Sequence, residues 1–67
     1  MTDQKTLDAA ARTERVFRRM AARDSAKEAM VEAALAWYHA GPRDHAAAQR
    51  LRTAVGTFAA AAEEASR

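Results

Sequence analysis

The stretch Ala40-Gly41-Pro42-Arg43-Asp44 decides how this chain folds, because it holds the strongest helix-terminating signal in the sequence. Glycine has no Cβ and therefore suits the left-handed residue that commonly follows a helix. Proline has no backbone N–H, and its ring blocks further helix. We therefore expect one helix to end at Ala40 and another to begin at about Arg43 or Asp44.

The segment after this turn, from about residue 43 to 65, is predicted to be a helix with an apolar seam. Its apolar residues alternate four and three positions apart, which is the spacing of a coiled-coil seam. The seam residues are Ala47, Leu51, Ala54, Phe58, Ala61 and Ala65, flanked by Ala48, Val55 and Ala62. Because so many of them are Ala, a facing helix can approach to about 8 Å. Gly56 lies on the opposite side, where we expect it to face solvent.

Two further helical segments are predicted before the turn, at about residues 4–23 and 25–40. One side of the first segment is basic and carries Arg12, Arg15, Arg19 and Arg23, which we call the Arg ridge. The other side is apolar and carries Ala10, Val16, Phe17, Met20 and Ala21. The second segment has only a narrow polar arc, which is typical of a central helix or of an oligomer interface.

The boundary between these two segments is predicted at Asp24-Ser25. Ser25 and Glu28 match a capping box, in which each side chain takes a backbone N–H at the start of a helix. An unbroken helix would rotate the second apolar stripe by about 110° from the first, so that Trp37 would share a face with the Arg ridge. We therefore predict a break here. The alternative is one long helix that pairs with the last segment as a hairpin.

The composition limits how much apolar surface a single chain can bury. Twenty of the 67 residues are Ala, the strongest helix former and a weak core filler. Only twelve internal residues are large and apolar: Leu7, Val16, Phe17, Met20, Met30, Val31, Leu35, Trp37, Tyr38, Leu51, Val55 and Phe58. Burying one of them contributes about 2 kcal/mol, whereas ordering one residue of the chain costs about 1.5 kcal/mol, so twelve large side chains leave no surplus of stability. Without Cys, disulfides are excluded, and self-association or docking on a partner remains.

These patterns predict an all-α fold, with a single helical domain over residues 1–67. It is expected to be a small three-helix bundle or a helical hairpin, with Ala-rich packing and self-association into a dimer or higher oligomer. The net charge of +2 is mild and does not itself demand nucleic acid. Nine Arg against two Lys, with this much Ala, is associated with GC-rich bacterial genomes. No apolar run follows Met1, so no secretory signal is visible and we expect a cytoplasmic location.

The Arg ridge is the first candidate site. Its usual interpretation is a solvated face or a set of ion pairs within the bundle. An acidic protein surface or a nucleic-acid backbone would also suit it. A helix-turn-helix would instead use the start of the last segment, where Gln49 and Arg50 could reach bases. The block of Ala at residues 46–48 and the acidic Glu63 and Glu64 argue against that use.

The aromatic residues before the turn are the second candidate site. Trp37 is expected to fill the core of a small bundle, and Tyr38 is expected to be partly exposed. His39 suits the C-terminal end of its helix, where a cation interacts favourably with the helix dipole. No metal or cofactor is expected, because His39 and His45 lack the spacing of a zinc-binding helix. No nucleophile–base pair is suggested, so no enzymatic activity is expected.

The sequence therefore predicts a small non-enzymatic helical protein-interaction module. It would be an adaptor, regulator or inhibitor whose partner is a second copy or another protein. The partner-binding candidates are Arg12, Arg15, Arg19, Arg23, Trp37 and Tyr38. The alternative is a nucleic-acid-binding transcriptional regulator that uses the Arg ridge or a helix-turn-helix-like third helix. A membrane partner, held by an amphipathic first segment, is the weakest expectation.

Overall fold

The computed structural model describes residues 4–67, with side chains from Leu7 onward, and in this range the chain is a hairpin of two α-helices. Helix α1 runs over Gln4–Ala40 and helix α2 over His45–Ala65. No strand occurs in the described range, so the all-α prediction is confirmed. The two helices pack side by side over the length of α2.

Helix α1 ends at the predicted place because Gly41 adopts a positive φ of 93°. Its N–H donates to the carbonyl oxygen of Trp37 at 3.1 Å, and the Asp44 N–H donates to the Gly41 carbonyl oxygen at 3.3 Å. Asp44 then caps α2, because its Oδ1 accepts a hydrogen bond from the Ala47 N–H at 2.9 Å. The predicted turn and the predicted start of the last helix are therefore confirmed.

The contact between the helices is the seam predicted for the last segment. Ala47 is 4% exposed, and the remaining seam residues are half-buried: Leu51, Ala54, Phe58, Ala61 and Ala65. Helix α1 presents a matching stripe that is best buried at Ala26, which is 8% exposed. The half-buried neighbours in this stripe are Arg23, Met30 and Ala33, again three or four positions apart. A seam of the coiled-coil type therefore forms, as predicted.

The predicted break at Asp24-Ser25 is wrong. Helix α1 continues through both residues, so the segments predicted at about 4–23 and 25–40 are one helix and the long-hairpin alternative is the fold. The physical reason is that no Gly or Pro occurs between residues 4 and 40 and strong helix formers continue through this stretch. As a result α1 has 37 residues and is about 56 Å long, whereas α2 has 21 residues and is about 32 Å long. The unbroken helix does turn the Arg ridge toward the side of α2. Most of the ridge lies beyond α2, however, and stays in solvent.

Residues 4–22 of α1, in which every described side chain is exposed, are called the arm, and most of them lie beyond the end of α2. They make the molecule a rod with Cα extents of 63 × 16 × 14 Å. Ala26 and Ala47 are the only buried apolar residues in the described range. The accessible surface is 5649 Å², whereas a compact monomer of 7.3 kDa exposes about 4,200 Å². The single chain therefore exposes about 1,400 Å² more surface than a compact fold of its size.

Replacing Ala47 by Leu should lower the free energy of unfolding by about 1–3 kcal/mol, because the larger side chain overpacks the closest contact between the helices. Ala60 is exposed on the outer side of α2 and supplies the matched control. Ala60→Leu should change the free energy of unfolding by less than about 0.5 kcal/mol. Urea denaturation followed by circular dichroism measures both variants. Equal effects would contradict the assigned seam.

The two glycines should respond in opposite directions to the same substitution. Gly56 lies inside α2, and no described atom stands within 4 Å of the place where its Cβ would be, so Gly56→Ala should stabilise the fold by about 1 kcal/mol. Gly41 has the same open space, but its φ of 93° strains any L side chain. Gly41→Ala should therefore destabilise the fold by about 1 kcal/mol. Thermal melts check both signs, and a lower Tm for Gly56→Ala would mean that its side of α2 is packed in solution.

Candidate interaction surface

An apolar groove runs along the hairpin between α1 and α2. Its volume is about 530 Å³, and the surface that lines it is apolar. The lining residues are Met30, Val31, Ala34, Leu35, Trp37, Tyr38, Leu51 and Val55. Most of them flank the seam, because only one side of each helix can face the other helix. We call this feature the apolar groove.

Four side chains of the apolar groove remain largely in solvent. The exposed fractions are 46% for Val31, 55% for Leu35, 75% for Tyr38 and 44% for Val55. The three on α1 follow one another four and three positions apart and so form a second stripe beside the seam. Because Val31, Leu35 and Val55 are already about half covered, covering the rest of each would contribute about 1 kcal/mol. Within the described residues, the hairpin therefore leaves these four apolar side chains partly uncovered.

The arm carries a second exposed apolar surface. Leu7 is 51% exposed, Val16 50%, Phe17 65% and Met20 39%. A shallow hollow lies around Phe17, between Ala10, Thr13, Glu14, Arg18 and Ala21. These side chains are exposed because α2 ends before it reaches them. They are the apolar side that the sequence predicts for the first segment, and the hairpin does not cover it.

The apolar groove and the apolar surface of the arm lie along the same side of α1. Eighteen residues separate Phe17 from Leu35, and eighteen separate Met20 from Tyr38. Eighteen residues make about five full helical turns, so each pair points in one direction, about 27 Å apart. Because α1 is continuous, both surfaces belong to one long face of a single helix. That face is interrupted by Asp24 and by Lys27.

The Arg ridge lies on a different side of the arm. The Nε of Arg12 donates to the Asp8 carbonyl oxygen, and the Nε of Arg15 donates to the Ala11 carbonyl oxygen, both at 3.4 Å. Arg23 differs from the rest of the ridge, because it is half-buried against the seam and bonds to Asp24 at 3.2 Å. Its neighbour outside the ridge, Arg18, is tied to Glu14 in an exposed ion pair. Arg12, Arg15 and Arg19 therefore point their charges into solvent from the arm.

The residues predicted as partner-binding candidates fall into two separate places. Trp37 and Tyr38 lie beside the turn, whereas Arg19 lies about 27 Å along α1 from Trp37. Trp37 is 38% exposed, so it is not the buried core residue that the sequence predicts. Tyr38 is 75% exposed, as expected, and its ring meets the His39 ring edge-on at 5.5 Å. The structure thus offers an aromatic end and a basic arm, not one combined site.

Several residues of the apolar surfaces are missing from the predicted candidates. Val31, Leu35 and Val55, like Phe17 and Met20, are large apolar residues that the sequence pattern does not single out for partner binding. A signal was available in the sequence, since the eighteen-residue spacing aligns the two surfaces once α1 is taken as one helix. The predicted break at residues 24–25 hid this alignment.

Comparison with known proteins adds no functional evidence. No family model matches the sequence, and neither a curated protein nor a solved structure shows significant similarity to it. Within residues 4–67, no helix is long and apolar enough to cross a bilayer. The part of the chain with described side chains holds no group of three metal-ligating residues.

Proposed function

We propose that this chain is a non-enzymatic helical protein-interaction module that acts by covering a partner's surface. The observation that carries this proposal is the apolar groove, which stays open in the hairpin and continues as an apolar surface along the arm. Small monomeric proteins rarely expose contiguous apolar patches of this kind unless the patch binds something. An adaptor, a regulator or an inhibitor would each use such a surface.

The shape of the apolar groove favours a helical partner. Grooves between two helices bind amphipathic helices through apolar side chains spaced three and four residues apart. Val31, Leu35 and Tyr38 supply such a row from α1, and Val55 supplies the opposite wall from α2. Tyr38 also gives the groove an aromatic anchor at its end, where large rings often dominate binding energy.

Site-specific crosslinking should separate the apolar groove from the outer side of α2. A photo-reactive phenylalanine analogue placed at Leu35 should form adducts with protein, because this position lies in the groove. The same analogue at Gln49, an exposed position of α2 outside the groove lining, is the control and should form few adducts. Mass spectrometry of cells that express each variant identifies the captured protein, including a second copy of the chain. Absence of any protein adduct at position 35 would overturn the proposed function.

A second candidate function, nucleic-acid binding, is favoured by the geometry of the Arg ridge. Arg12, Arg15 and Arg19 are exposed on one side of the arm, and α2 does not extend over them. They span about 10 Å along the helix axis, so they could follow several phosphates of one strand. On the arm, the Arg ridge lies on a different side from the apolar side chains around Phe17.

The nucleic-acid function makes a prediction about salt. If the Arg ridge neutralises phosphates, replacing Arg12, Arg15 and Arg19 together by Ala should weaken binding to every duplex tested and flatten its dependence on salt. Replacing Lys27, Arg52 and Arg67 together by Ala removes the same charge from outside the arm and is the matched control. Fluorescence anisotropy over a range of ionic strength measures both. Equal losses in the two variants would mean that net charge alone drives the binding.

A further inference from the structure

We propose that the occupant of the apolar groove is the arm of a second copy of this chain, in a two-fold antiparallel homodimer. This inference rests on the proposed function and names the partner. In the dimer, two α1 helices run side by side in opposite directions. The arm of each copy lies in the apolar groove of the other, so that each end becomes a three-helix bundle.

The lengths of the two halves of α1 match. The arm comprises residues 4–22, and the part of α1 that packs with α2 comprises residues 23–40, so each is about 27–29 Å long. A two-fold axis between residues 25 and 26, near the middle of α1, lays residues 13–21 of one arm along residues 30–38 of the partner subunit, which line its apolar groove. The axis closes the assembly at two copies. An unrelated partner helix no longer than the groove would leave the apolar side of the arm exposed.

A two-fold axis also requires that the groove and the apolar side of the arm face the same way. They do, because Phe17 aligns with Leu35 and Met20 aligns with Tyr38 along the helix. Had the arm's apolar side pointed elsewhere, the rotation would have turned it away from the partner's groove. The continuity of α1 through residues 24 and 25 is what sets this alignment.

The charges that interrupt the shared face select one register. If Asp24 of one copy lies opposite Lys27 of the partner subunit, the two-fold axis repeats the pair, and two ion pairs form at the centre. In this register Met20 faces Val31 of the partner subunit, and Phe17 faces Ala34 of the partner subunit. The bulky Phe17 thus faces a small side chain, and the apolar Met20 faces another apolar side chain. Asp24 keeps a second carboxylate oxygen for this pair, because Arg23 contacts only its Oδ1.

Neighbouring registers are unfavourable. A shift of one heptad in one direction sets Lys27 against Phe17 of the partner subunit, and a shift in the other sets Asp24 against Ala34 of the partner subunit. Either shift packs a charged group on apolar surface without its counter-charge, which is costly. The opposite charges of Asp24 and Lys27 therefore specify the register of the two helices, as buried polar residues do in coiled coils.

The exposed area is sufficient for a stable dimer. A standard protein interface buries about 800 Å² on each partner. The single chain exposes about 1,400 Å² more than a compact protein of its mass, so it can bury that much and still remain within the ordinary range.

Charge reversal tests the pair at the centre. Asp24→Lys alone and Lys27→Asp alone each bring like charges together twice, so each should raise the dimer dissociation constant about tenfold. The double exchange, Asp24→Lys with Lys27→Asp, restores opposite charges and should return the constant to within about threefold of the parent chain. Sedimentation equilibrium gives the constants, and circular dichroism shows whether each variant stays helical. Failure of the double exchange to rescue would overturn the register.

A cysteine pair tests the register covalently, and the chain has no Cys of its own. Met20→Cys with Val31→Cys should oxidise to a covalent dimer with two bridges, since a disulfide needs Cα atoms within about 7 Å. Met20→Cys with Gln49→Cys is the control and should not. A parent chain that is monomeric at micromolar concentration, or a dimer that fails to crosslink through residues 20 and 31, would overturn the proposal. Capture of a different protein at Leu35 by a monomeric chain would leave the proposed function standing and refute this inference alone.

Discussion

The packing of α2 on the C-terminal half of α1 is the interaction on which the rest of the structure depends. It is made by a seam of small residues, with Ala47 and Ala26 as its best buried members. Methyl groups let two helices approach closely but remove little apolar area from water. The hairpin is therefore defined in direction and register by this seam, while its larger apolar side chains stay on the flanks. The apolar groove is exposed for this reason, because most of its side chains flank the seam and are not part of it.

The unequal lengths of the helices turn this local packing into a molecular shape. Because α2 ends opposite the middle of α1, half of the long helix is left as an arm. The arm carries two sides of different chemistry, one apolar around Phe17 and one basic along the Arg ridge. The apolar side points the same way as the apolar groove, whereas the basic side points toward solvent beyond α2. Protein binding and anion binding would thus use separate faces of one helix.

The turn, the helix cap and the seam were predictable from the sequence because a local rule decides each of them. At residues 24 and 25 two local preferences competed, and the prediction failed. Gly41 and Asp44 act through backbone geometry within a few residues, so the turn and the cap were predictable. The seam of α2 was predictable because its spacing is regular. At residues 24 and 25 a capping box and a rotated stripe favoured a break, and uninterrupted helix formers favoured continuity. The candidate Tyr38 was predictable as an exposed aromatic, but the groove around it depends on where α2 lies.

By itself, the sequence determined that the chain is helical, that it turns at Gly41, and which side of the last helix packs, because propensity, turn geometry and hydrophobic spacing are local properties. Only the tertiary structure decided that α1 is one helix and that α2 stops short of the arm. It also decided that Val31, Leu35 and Val55 form an open groove rather than a core. The physical reason is that a core requires another element at the right distance, and the reach of α2 is known only once both helices are placed together.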